Sequence, residues 1–201
     1  MKSIYLAFVI FAFVLFNSCI RSLNPLFEKN QLVMETQLFG KWANSDSSSF
    51  MEFNSCSPED SSGVCNYCKV SVIEKNNNGT SDTTRLIAMT GKIGGFLFMD
   101  LYPDLNNNTN ECYNILSNSE YFVPAHTFYK VFLSKDTLGL AEINYKWFQA
   151  NEKKLHVSYF MHGNDDYITL TCSTAQLQKF CKKYADNDNV FAPDKSMHRI
   201  K

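Results

Sequence analysis

Between Gly91 and Ile143 the chain runs through three stretches that are aromatic, apolar and bounded by turn residues. They read Gly91-Lys-Ile-Gly-Gly-Phe-Leu-Phe-Met-Asp-Leu-Tyr-Pro103, Tyr121-Phe-Val-Pro-Ala-His-Thr-Phe-Tyr-Lys-Val-Phe-Leu133 and Thr137-Leu-Gly-Leu-Ala-Glu-Ile143. Aromatic and β-branched side chains suit a pleated surface, and Gly, Pro and Asn between them mark turns, so the pattern predicts consecutive antiparallel strands. Residues 40–42, 49–53, 69–73 and 167–171 have the same composition, and 84–90 follows the turn signal Asn76-Asn-Asn-Gly79. Strands at this spacing close on themselves or pair into a sandwich. The expected fold is mainly β: a single antiparallel barrel or strongly curved sheet with a C-terminal amphipathic helix. The 17 Phe and 10 Tyr supply flat rings for such a core.

Two helices interrupt this pattern. Tyr145, Trp147 and Phe148 fall at helical spacing and predict a short helix or turn over 144–151, with a strand as the alternative. Ser173 and Gln176 form a capping box, Cys172 and Leu177 a staple, and Leu177, Phe180, Cys181 and Tyr184 one apolar face. That helix packs on the sheet or over a barrel mouth. The expected division is a signal peptide over 1–18, a lipidated anchor and lead-in over 19–39, a β-rich domain over 40–186, and a loosely attached polar tail over 187–201. A chain of 201 residues with a leader leaves one domain. Its 19 basic and 20 acidic residues supply no basic field, which excludes nucleic acid as a partner.

The leader begins with Lys2, continues as an uninterrupted apolar run over 4–16, and ends Phe16-Asn-Ser-Cys19. A basic start, an apolar run too short for a confident membrane span, and small polar residues make a secretory signal. Ser18-Cys19 resembles a bacterial lipobox, in which the Cys is acylated after cleavage. The partner implied is a lipid bilayer, reached through Cys19, and the location is the bacterial cell envelope, at the outer membrane.

Ser22-Leu-Asn-Pro-Leu-Phe27, Leu38-Phe-Gly-Lys-Trp42, Gly94-Gly-Phe-Leu-Phe-Met-Asp-Leu-Tyr-Pro103, Val123-Pro-Ala-His-Thr-Phe128 and Thr174-Ala-Gln-Leu-Gln-Lys-Phe180 together resemble a family of bacterial lipoproteins. That family carries no assigned activity, so the resemblance implies an anchor and no reaction. Gly40-Lys-Trp42 also looks like the Gly-x-Trp of lipocalins and related calycin barrels, where the Trp plugs the closed end.

Three groups of residues are candidates for chemistry. With Cys19 acylated, Cys56, Cys65, Cys68, Cys112, Cys172 and Cys181 remain, an even number that suits disulfides in an exported chain. Cys56, Cys65 and Cys68 also have the spacing of zinc ligands, without a nearby His, and Cys172 and Cys181 read alternatively as buried small apolar residues. Alternation puts Asp100 on one face with Phe96 and Phe98, and His126 on one face with Phe122, Phe128 and Phe132. A carboxylate on an apolar face needs a partner, which makes Asp100 and His126 either an acid/base pair or a polar pair fixing strand register. The five phenylalanines line either a packed core or an apolar pocket. His156, His162 and His198 read as surface residues, and sequons at Asn78 and Asn107 matter only in a eukaryotic pathway.

The leading expectation is non-enzymatic binding of a small apolar or amphipathic ligand inside a barrel, with no cofactor. The alternatives are an envelope scaffold with a solid core that docks another protein, and an enzyme using Asp100 and His126.

Overall fold

The computed structural model describes residues 20–56, 66–76, 78–105, 123–161, 167–193 and 195–200. A short strand, β1 (Ile20–Ser22), precedes a seven-strand meander. The meander comprises β2 (Gly40–Ala43), β3 (Ser49–Ser55), β4 (Cys68–Lys75), β5 (Ser81–Ile93), β6 (Phe96–Pro103), β7 (Thr127–Leu133) and β8 (Thr137–Ala141). The chain then leaves the sheet through α1 (Tyr145–Asn151), β9 (Tyr159–Met161), β10 (Ile168–Leu170) and α2 (Thr174–Tyr184). It returns as β11 (Lys195–Ile200), which pairs with β8 on one side and β2 on the other and closes an eight-stranded antiparallel barrel. This is the lipocalin-like barrel expected from the sequence.

Two cores share the sheet. Trp42, Met51, Phe53, Val70, Ala88, Met99, Val131, Leu138 and Met197 belong to one cluster that draws on every strand of the barrel, and so fills its lumen. A second cluster lies outside, between β5 to β8 and a cover made of the N-terminal lead-in, the small sheet β1-β10-β9, α1 and α2. Strand β6 is therefore buried on both faces. That is why residues 96–103 read as a nearly continuous apolar run instead of alternating with polar residues.

Local chemistry explains the connections. Gly94 and Gly95, with φ of 61° and 88°, form the two-residue turn between Ile93 and its partner Phe96; positive φ at both turn positions matches the twist of the flanking strands. The Ser173 side chain accepts from the Gln176 N–H while Gln176 reaches back to Ser173, so the capping box of α2 forms as expected. Asn144 caps α1 by accepting the Trp147 N–H at 3.0 Å through its side-chain oxygen.

The lead-in and β11 meet around Trp42. Val33 pairs with Thr90 through its N–H at 2.8 Å and accepts from the Thr90 hydroxyl. A 3-10 turn at Thr36–Leu38 then buries Leu38 in the lumen. Trp42 is fully buried in the lumen cluster and donates from Nε1 to the Leu38 carbonyl at 2.7 Å. Arg199 of β11 lies over the Trp42 ring at 4.1 Å and donates to the carbonyls of Phe39, Gln37 and Lys135 at 2.7, 2.6 and 3.0 Å.

Two expected boundaries are corrected. The polar tail of 187–201 contains the closing strand, and Val190 and Phe191 before it are fully buried. Its polarity misled because β11 contributes only Met197 to the lumen cluster. The folded domain also starts before residue 40: Ile20 pairs with Ile168, and Leu26, Phe27 and Leu38 are buried.

Candidate functional site

Asp100 projects from the outer face of β6 into the second core and is fully buried. His126, just before β7, meets it: Nδ1 lies 2.9 Å from the Asp100 Oδ1. The other carboxylate oxygen, Oδ2, accepts the Leu26 N–H at 2.8 Å. The backbone of His126 exchanges hydrogen bonds with Ser22 in both directions, at 2.9 and 2.8 Å. Its ring stacks at 4.5 Å on Tyr102. The pair thus joins β6, the start of β7 and the lead-in at one point. Burial pushes the Asp100 carboxyl above its usual range, opposed by the hydrogen bonds from His126 and the Leu26 N–H.

Among the described residues no Ser, Thr or Cys side chain is hydrogen-bonded to His126. His126 keeps about a tenth of its side chain exposed, while Nε2 has no hydrogen-bond partner among the described residues. The thiol that senses Asp100 electrostatically is Cys181, which is fully buried. Burial, reinforced by Cys172 and Asp100, holds that thiol far above the usual thiol range. A thiol so held stays protonated and is no nucleophile. One carboxylate oxygen holds the Leu26 backbone and the other the His126 ring, so the geometry ties the lead-in to the barrel.

The phenylalanines share the face of Asp100, as alternation requires, but it is the outer face. Phe98 and Phe128 belong to the second core, with Phe96 and Phe132 packed against it. Phe98 meets Phe191 edge-on at 5.5 Å. Phe96 and Phe132 hold the buried Lys130 between their rings, with Nζ 4.5 and 4.6 Å from the two centroids. Lys130 donates to the carbonyl of Ala185, the C-cap of α2, at 2.7 Å, where the negative end of the helix favours a cation. The expected lining of a barrel pocket is thus corrected: these rings lie under the protein's own cover. Phe122 lies outside the described residues.

The cysteines divide between the readings, with Cys172 and Cys181 free and buried as the apolar reading of them expects. Cys56 is disulfide-bonded, which removes it as a thiolate ligand, and its partner lies outside the described residues with Cys19, Cys65 and Cys112. Cys68, Cys172 and Cys181 are free and buried. Cys68 lies in the lumen with its Sγ 3.7 Å from the Met34 sulfur. Burial, helped by Glu35, pushes its pKa up to about 11. Among the described residues no cluster could hold a metal ion. His156 and His198 are exposed as expected, and His162 lies outside the described residues.

Lys130 and Arg199 were not singled out from the sequence. For Lys130 a signal exists: it stands between Phe128 and Phe132 at alternate positions of one strand, so it shares their buried face. Arg199 carried none, because its role depends on β11 returning beside Trp42. No family model, curated protein or solved structure matches this chain.

Proposed function

We propose that this protein is a non-enzymatic lipoprotein of the bacterial cell envelope, anchored through Cys19, whose solid barrel presents its outer surface to a partner. The observation that carries this reading is the lumen, occupied by side chains from every strand, with Trp42, Phe53, Met99 and Leu138 fully buried. A barrel packed in this way acts as a framework, and recognition belongs to its exterior. The anchor rests on Lys2, the apolar run over 4–16 and Ser18-Cys19. Fixation of the chain from Ile20 onward suits it, because the residue after the acylated Cys already belongs to the folded domain.

The full chain expressed in a Gram-negative host tests both parts. Mass spectrometry is expected to find a mature N-terminus at an acylated Cys19, and Cys19→Ala to move the protein from the membrane to the soluble fraction. A mature start elsewhere, without acyl mass, overturns the anchor. Nile red, a neutral apolar dye, is expected to show no saturable fluorescence enhancement with the purified protein. Saturable enhancement displaced by a neutral alkane would restore ligand binding inside the barrel.

A further inference from the structure

Where the lead-in crosses between α2 and the β5-β6 hairpin, a groove of about 350 Å³ remains on the outside of the barrel. Its floor is apolar and held in place from below. The Phe27 ring and Ile93 are buried there, and the ring lies so close to Gly91 that a Cβ on that residue would stand 2.5 Å from it. One wall is amide: Gln178 Nε2 donates to Gln31 Oε1 at 2.6 Å and to the Leu26 carbonyl at 2.9 Å, which fixes the two side chains against each other. The rim is cationic. Lys92 reaches it from the end of β5, and Lys179 and Lys182 from one face of α2.

No Asp or Glu lines the groove, and none of the three lysines forms an ion pair among the described residues. In a chain whose net charge is −1, three cations without an ion-pair partner among the described residues line one groove from two elements, beside an apolar floor. Convergent like charges raise the local concentration of counter-ions, and an adjoining apolar floor selects those that carry a hydrophobic body. A volume near the low end for ligand sites admits a head group and a short apolar segment, not a whole lipid.

We infer that this groove binds an anionic amphiphile, its acidic group held by Lys92, Lys179 and Lys182 and its apolar part laid on Phe27 and Ile93. The site stands on the groove alone and goes beyond the scaffold reading, since it needs neither acylation of Cys19 nor a solid lumen. Two sources share this chemistry: a free acidic amphiphile in the envelope, and an anionic lipid in the bilayer.

The test is equilibrium dialysis of n-hexyl phosphate against the full chain in dodecyl maltoside micelles, with empty micelles as the blank. Saturable binding is expected, at least tenfold tighter than for inorganic phosphate or 1-hexanol alone. The triple variant Lys92→Ala, Lys179→Ala, Lys182→Ala is expected to lose it at least tenfold with its near-ultraviolet circular dichroism unchanged, and the corresponding triple Arg variant to retain it. Absence of saturable binding, equal binding by inorganic phosphate, or equal binding by the triple Ala variant overturns the site. Phosphatidylglycerol vesicles added in excess separate the sources. Competition with hexyl phosphate supports the site and assigns it to bilayer lipid; undiminished binding supports it and assigns it to a free amphiphile.

Discussion

Asp100 accepts from the backbone of Leu26 with one oxygen and pairs with His126 through the other, so its removal leaves two buried polar groups without partners. Asp100→Ala is expected to destabilise the protein by about 1–3 kcal/mol in urea unfolding, the cost of orphaned buried hydrogen-bonding groups. The pH dependence has a definite sign. Burial raises the folded-state pKa of Asp100 above 3.8, so between the unfolded and folded values the native state holds more protons, and stability falls as pH rises through that window. The urea midpoint of the wild type relative to Asp100→Asn should therefore fall from pH 4 toward neutrality, and a rising difference would contradict burial as the dominant effect. The pairing of Asp100 with His126 was legible in the sequence because alternation assigns faces. The identity of the face was not, since a strand buried on both sides carries no mark of which side is the lumen.

At the scale of elements, close approach decides which substitutions matter. Gly91 leaves β5 bare where the Phe27 ring rests on it. Gly91→Ala is expected to cost about 1–3 kcal/mol through overpacking, with part of the loss recovered by Phe27→Leu, as judged by thermal unfolding of the single and double variants. Arg199 connects β11 to the 3-10 turn before β2 by stacking on Trp42 and donating to three carbonyls. Arg199→Ala should lower stability by about 2 kcal/mol, and Arg199→Lys should recover little, because a single ammonium cannot reproduce the planar fork. Capping and periodicity made α1 and α2 readable in advance. Strand β11 was not readable, because only its pairing with β2 and β8 reveals it.

For the molecule as a whole, the two cores predict which thiols are reachable. Cys68 lies in the lumen, while Cys172 and Cys181 lie beneath the cover. Alkylation by iodoacetamide at pH 8 is expected to leave all three unmodified in the native protein and to label all three in guanidinium; native labelling of Cys172 or Cys181 alone would show the cover opening apart from the barrel. The barrel class was legible because turn signals and aromatic runs recur along the sequence, whereas the groove was not, because its lysines come together only after the lead-in, a hairpin and a helix have docked. The closure of the barrel also orders events in time. Arg199 and Phe39 are 160 residues apart in sequence, and contacts of such long range are slow to form. Until residues 195–200 arrive, β2 and β8 are both unpaired edges, able to recruit strands from other chains. A nascent copy of this protein would thus stay prone to aggregate until β11 has emerged and docked, and protection by chaperones would matter up to that step.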